Sequence, residues 1–249
     1  MDEKAYQSYA EESDTWLKRG RTALIDAVLD RHVNGAGALR VLEVGAGVGQ
    51  NLPTLTKLGG VDVVEIDDRG LAALRQRDDV GTIFDRPVPF DLPAPYDVVC
   101  AFDVVEHLPD DAGSVSWMFE ALKPGGHFVA TVPAYQWMFS WHDVALHHFR
   151  RYTRSGFAKL VRPHGQVLQD GYFVSTLFPL AAATRVPSVL SYRASKDPAA
   201  APARKQSGAV GGLLDRGFSA VLDAEVALIR RGVRLPGGLS IFLVAQKPG

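Results

Sequence analysis

Val41-Leu42-Glu43-Val44-Gly45-Ala46-Gly47-Val48-Gly49-Gln50 is the stretch that decides the fold of this 249-residue chain. A short apolar run, Leu39 to Val44, stops at glycines on alternate positions, and Leu52 to Leu58 then carry apolar side chains at helical spacing. Strand, glycine turn and helix in that order open a parallel α/β unit. Glycines at the junction leave the main chain bare, so a ligand can lie against it and against the helix N-terminus.

Working outward, Trp16, Leu17, Leu24, Ile25, Val28 and Leu29 predict an amphipathic helix upstream, capped by Ser13 or Asp14 and ended near Asn34-Gly35. Downstream, Val61 to Ile66 reads as a strand, Arg69 to Gln76 as a helix, Gly81 to Phe84 as a weak strand and Tyr96 to Phe102 as a strong one. A helix over Asp111 to Leu122, a turn at Lys123-Pro124-Gly125-Gly126 and a strand over His127 to Val132 follow. Thr153 to Val161 predicts a helix, Gln169 to Val174 a strand, Leu213 to Arg231 a helix and Gly238 to Ala245 a closing strand. This alternation implies a doubly wound, Rossmann-like α/β fold, mostly parallel, with helices on both faces. The expected organisation is one domain: a helical cap over 1–36, a ligand-binding core over 37–174, a helical insertion or lid over 175–232 with a flexible loop near 191–212, and the closing strand at 238–246.

Composition narrows the function. A formal net charge of -1 argues against nucleic acid as a partner. Cys100 is the single cysteine, so no intrachain disulfide or paired-cysteine metal knuckle is available. Met1-Asp2-Glu3-Lys4 begins no apolar segment, which makes the cytoplasm the expected compartment. The longest apolar stretch, Tyr172 to Leu190, is broken by Pro179, Arg185 and Pro187 and does not read as a membrane span, although it leaves contact with a membrane surface open.

The glycine turn separates candidate ligands. No Lys-Ser/Thr follows it, which excludes a P-loop, and Gln50 stands where a dinucleotide fingerprint needs its third glycine. In its GxGxG register, Leu42 to Gly49 resembles the class I S-adenosylmethionine-dependent methyltransferases, whose first strand ends in (V/L)(D/E)xGxGxG. Val64-Glu65-Ile66-Asp67, Tyr96-Asp97-Val98-Val99, Val105-Glu106-His107-Leu108 and Leu122-Lys123-Pro124-Gly125-Gly126-His127-Phe128 extend the resemblance in the family's order over most of the chain. It implies a seven-stranded sheet with an antiparallel last strand, S-adenosyl-L-methionine as cofactor and S-adenosyl-L-homocysteine as product. It also implies that Gly45, Ala46 and Gly47 approach the methionine moiety and that Glu43 lies under it. Asp67 is implied to take the ribose, Asp85 the adenine, and Phe102 to border the cofactor. Asp67 also stands where a helix cap would. The alternatives are an NAD-dependent oxidoreductase on the same fold class and a methyltransferase-like partner protein without catalysis.

Residues 134–152 are crowded with Tyr, Trp, Phe, His and Arg, an unusual composition for a connection. Val132-Pro133-Ala134-Tyr135 through Thr153 is similar to a small-molecule methyltransferase subgroup with a VPAY...WSxHD...HxRRYT signature. Ser140, His142, Asp143 and His148 to Thr153 match, while Phe139 replaces the first Trp and His147 stands where glycine is common. The resemblance places this loop over the transferred methyl group, with an O, N or C acceptor on a small molecule, in specialised metabolism. Histidine titrates near neutrality, so His148 is the first candidate general base and His142 the second, with Asp143 orienting one of them. Tyr135, Trp137 and Trp141 are expected to wall the substrate site, joined by His107 and Arg151. His142, Asp143, His147 and His148 contain ligand types for a divalent ion, but adjacent residues seldom converge and the HExxH spacing is absent, so no metal is expected. Oligomeric state is not legible in the sequence.

Overall fold

The computed structural model describes residues 15–33, 35, 37–195 and 212–249. In chain order the elements are α1 (Trp16–His32), β1 (Leu39–Val44), α2 (Leu52–Leu55), β2 (Gly59–Val64), α3 (Asp68–Leu74), β3 (Ile83–Phe84), β4 (Tyr96–Phe102), α4 (Asp111–Glu120), β5 (Leu122–Pro133), α5 (Trp141–Ala145), α6 (Arg154–Val161), β6 (Gln166–Phe173), α7 (Phe178–Ala194), α8 (Gly212–Arg230) and β7 (Ser240–Gln246). Single 3-10 turns stand at Val105–His107 and Gln136–Met138. No helix among the described residues is long and apolar enough to cross a membrane.

The strands form one seven-stranded sheet, ordered β3-β2-β1-β4-β5-β7-β6. β7 runs antiparallel to both β5 and β6, and the pairs among β1 to β5 are parallel, so the expected doubly wound sheet with an antiparallel last strand is what forms. The chain winds outward from β1 to β3 and then returns to β4 on the other side of β1. That reversal is the topological switch point, where the loops leaving neighbouring strands diverge and open a crevice at their carboxyl ends.

Strand alternation gives each face its core. Val41, Val61, Val98, Val129, Phe242 and Val244 bury one side, Leu42, Val99, Phe128, Ala130, Ile241 and Leu243 the other. Two helices expected to be parts of a cap belong to the first face: Leu24, Ile25, Val28 and Leu29 of α1 and Leu222, Val226 and Ile229 of α8 are buried in that core. Their crossing is close because Gly20 carries no side chain where Leu222 sits. Trp16 and Phe218 pack at a tilt, 5.1 Å between ring centroids, beside it, and Arg19 pairs with Asp215. Phe157, Ala158 and Val161 of α6 cover the second face.

Several boundaries differ from the sequence reading. Thr15 caps α1 through its side chain, accepting from Lys18 N, and Ser13 and Asp14 lie outside the described residues. β2 stops at Val64, two residues short of the expected end. α7 continues through 191–194 into the expected flexible loop, with Pro187 inside the helix; residues 196–211 of that loop lie outside the described residues.

Candidate active site

The carboxyl ends of β1, β2, β4 and β5 bring four short segments to the switch point. Gly45, Gly47 and Gly49 take φ values of 71°, 57° and 79°, the left-handed region that glycine enters without a Cβ penalty. A side chain at Gly45 would meet Val104 Cγ2 at 2.5 Å. Amides of Gly45 and Ala46 donate to the carbonyl of Val64 at 2.8 and 3.2 Å, which ties the turn to the end of β2.

Two glutamates support this turn. Glu43, at the end of β1, is 1% exposed; its Oε1 accepts from Asn51 Nδ2 at 2.7 Å and its Oε2 has no partner. Burial, reinforced by the neighbouring Glu65 charge, pushes its pKa up to about 8. Glu65 is the first residue after β2. Its Oε2 accepts from Gly47 N at 2.6 Å, and its Oε1 from the amides of Ile66 and Asp67 at 2.7 and 2.8 Å. Asp67, expected to end the strand, instead caps α3: its Oδ1 accepts from the amide and Nε of Arg69 at 3.0 and 2.9 Å, and Oδ2 meets Arg69 NH2 at 2.6 Å. Those bonds hold its carboxyl below the usual range. Asp85 lies beyond β3 with its side chain 56% exposed, near Arg75. Phe102 is the last residue of β4 and is buried in the first core face.

The loop after β5 is organised by Asp143, whose carboxylate is fully buried. Oδ2 accepts from the amide of Ser140 at 3.0 Å, and Oδ1 from Arg151 Nε at 2.6 Å and His148 Nδ1 at 3.0 Å. Burial disfavours its charge, but the His148 hydrogen bond and the Arg151 guanidinium outweigh that and hold the carboxyl well below the usual carboxylate range. An ionised carboxylate only accepts, so His148 carries its proton on Nδ1 and presents the Nε2 lone pair. That ring meets His107 edge to face at 4.5 Å. Burial and the neighbouring His148 drive the His107 pKa down to about 4. Between them Glu106 is 0% exposed with neither carboxylate oxygen partnered. The Phe149 amide donates to the Glu106 carbonyl at 2.8 Å, zipping the His148 loop to the turn after β4.

The remaining candidates divide. Arg151 is buried and spends its guanidinium on Asp143 and the Ala134 carbonyl; Arg150 spends its own on Asp111 and the Pro109 carbonyl. Both pin the loop. Tyr135, at φ 62°, stacks on Tyr172 at 5.3 Å and on Trp137 at 5.9 Å, and meets Phe178 at a tilt at 5.3 Å. Trp137 is 47% exposed, whereas Trp141 is buried against Tyr192 of α7, its Nε1 donating to Ser191 Oγ at 3.3 Å. His142 is exposed on α5, apart from the cluster around His148.

Sequence reasoning passed over three residues. Glu65 was legible as the first acid after the apolar run. Glu106 was legible only as a neighbour of His107, because its isolation depends on what surrounds it. The Arg185 side chain of α7 makes no hydrogen bond or ion pair among the described residues; burial beside Arg151 lowers its pKa to about 10. Depressions elsewhere, one at the amino ends of β1 and β2 by Arg40 and Asp62, another by Arg154 and Arg234, lie away from the glycine turn.

The methyltransferase-domain family matches residues 11–169. Similar solved structures include an S-adenosylmethionine-dependent methyltransferase from Mesorhizobium loti, 16% identical over 88% of this chain and 96% of that one, with a TM-score of 0.55. The N-methyltransferase NodS from Bradyrhizobium japonicum WM9, solved with S-adenosyl-L-homocysteine, is 11% identical over 98% of both chains with a TM-score of 0.56. The [4+2]-cyclase SpnF is 18% identical over 91% of this chain and 80% of that one, with a TM-score of 0.54. At these identities the likeness is one of fold. No curated protein matches.

Proposed function

We propose that this chain, which belongs to the methyltransferase-domain family, moves a methyl group from S-adenosyl-L-methionine to a small-molecule acceptor at the carboxyl edge of β1, β4 and β5. Bound there, the cofactor would supply an electrophilic sulfonium methyl. The residues present fit it: the left-handed glycine turn lets a ligand approach the main chain, and the unpartnered Oε2 of Glu43 suits the ammonium of a methionine moiety. Glu65 suits the ribose better than Asp67, because it stands directly under the turn while Arg69 occupies both oxygens of Asp67.

The observation that carries the reading is the Asp143-His148 pair behind that edge. Asp143 fixes the imidazole, and Nε2 is the atom that takes a proton from an acceptor O–H or N–H as it attacks. Trp137 and Tyr135 supply an aromatic wall, and Arg185 suits an anionic group on the acceptor. An NAD-dependent reaction is not favoured by this family or by Gln50.

Isothermal calorimetry with S-adenosyl-L-homocysteine tests the cofactor: saturable binding is expected, lost in Gly47→Val. No binding, or equal binding by that variant, overturns the reading. For the base, His148→Ala is expected to lower turnover by about 100-fold or more with product affinity within about twofold; equal losses of both would assign His148 to the scaffold.

A further inference from the structure

We propose that Glu106, His107 and His148 form a binding site for a divalent first-row transition-metal cation, Zn2+ or its neighbours. One ligand atom from each of these side chains lies within 4.8 Å of the other two. Donors roughly 2.0–2.2 Å from a tetrahedral ion lie about 3.3–3.6 Å from one another, so side-chain shifts of up to about 1.5 Å close the set. The three come from separate places: Glu106 and His107 from the 3-10 turn after β4, His148 from the loop after β5, and the Phe149 amide bond to the Glu106 carbonyl holds the two together.

Glu106 is the observation that asks for a ligand. Its side chain is wholly buried and neither oxygen has a hydrogen-bond partner. A buried carboxylate left so is costly, and a cation or a proton must answer it. Asp103, held in a left-handed conformation at φ 54° and paired with Arg21 at 2.7 Å, adds a second negative charge nearby. Arg21 and Arg151 stand near Glu106 as well and offset that charge, so the unpartnered carboxylate itself is what calls for the cation.

His148 is held as metal ligands are held, with the ring nitrogen remote from the ion donating to an acceptor: its Nδ1 donates to the buried Asp143 carboxylate at 3.0 Å. That ring therefore keeps its Nε2 lone pair for the cluster. The His107 ring lies 4.5 Å from it, edge to face. Two imidazoles and one carboxylate suit Zn2+, Co2+, Mn2+ or Fe2+ better than Ca2+ or Mg2+, which favour oxygen-only sets. The residues weighed and set aside as ligands in the sequence, His142, Asp143, His147 and His148, do not converge: Asp143 supports His148 from behind, and His142 and His147 are exposed.

Three protein ligands leave coordination positions open. In the metal-free chain His148 Nε2 is the base proposed above; with a cation bound it would be a ligand instead, and an acceptor hydroxyl in an open position would release its proton to solvent more readily. That extension rests on the methyl-transfer reading; the cation site does not.

The test uses the untagged full-length chain, stripped of metal and titrated with Co2+ by visible absorption, with Zn2+ competition. One Co2+ per chain is expected, with ligand-field bands that Zn2+ abolishes. Glu106→Gln and His107→Gln should each weaken binding at least about tenfold, while His147→Asn, at an exposed position whose φ of 61° Asn tolerates, should bind as the parent does. Absence of saturable binding by the parent overturns the proposal, as does unchanged affinity in Glu106→Gln. Calorimetry with S-adenosyl-L-homocysteine on the same samples reports folding and separates the two ideas: homocysteine-product binding without Co2+ sinks only the metal site, and Co2+ binding without the product sinks only the methyl-transfer reading.

Discussion

Asp143 holds Ser140, His148 and Arg151 with one carboxylate, and the downward direction of its pKa means that the fold favours its charged form. The folded group stays ionised below the usual unfolded value of about 3.9; its contribution is complete above that pH and is lost as pH falls through the folded pKa. Asp143→Asn leaves the Arg151 guanidinium buried without its counter-charge, and urea unfolding at pH 7 should show a loss of about 3 kcal/mol or more. Glu43 has the opposite sign. Its folded pKa of about 8 lies above the unfolded value, so the folded chain keeps a proton that the unfolded chain gives up. Stability should therefore fall as pH rises from about 4.5 through about 8, and Glu43→Gln should flatten that slope. If Oε2 takes the ammonium of a bound methionine moiety, S-adenosyl-L-homocysteine should displace that proton at pH 7. Calorimetry in buffers of different ionisation enthalpy reads the release, which Glu43→Gln should abolish.

At the scale of elements, helix crossings and turn ends carry the differences from the sequence reading. The apolar period of α1 was plain in Leu24, Ile25, Val28 and Leu29, but its partner, α8, lies about two hundred residues away and period alone does not name it. Gly20 makes their approach possible. Gly20→Val should overpack the crossing and lower stability by about 1–3 kcal/mol in urea. Gly217→Ala on the exposed side of α8, where an added Cβ meets nothing within 4 Å, should be neutral or stabilise by up to about 1 kcal/mol. Glu225 of α8 accepts from the amides of Ser175 and Thr176 at 2.9 and 2.6 Å and so secures the entry to α7. The end of β2 shows the same limit: Val64-Glu65-Ile66-Asp67 alternates like a strand throughout, but β2 stops at Val64 and the Glu65 side chain takes the amides of Ile66 and Asp67.

For the whole molecule, ligand linkage offers a global readout. S-adenosyl-L-homocysteine at about 100 times its Kd should add about 2.7 kcal/mol, raising Tm by roughly 5–10 °C for a chain of this size; NAD+ should leave Tm unchanged. A shift with NAD+ instead would return the oxidoreductase alternative. Hydrophobic period, β-branched runs and glycine spacing determined the strand and helix sequence, the parallel winding and the place of the ligand turn, because these are local signals repeated along the chain. The residues of the aromatic loop were legible too, as Asp143, His148 and Arg151. Only the tertiary structure decided that both arginines of that loop pin it, that Trp141 is covered by α7, and that Glu106 is stranded between two histidines. Contact, burial and the absence of a partner are properties of residues far apart in sequence, and no local pattern encodes them.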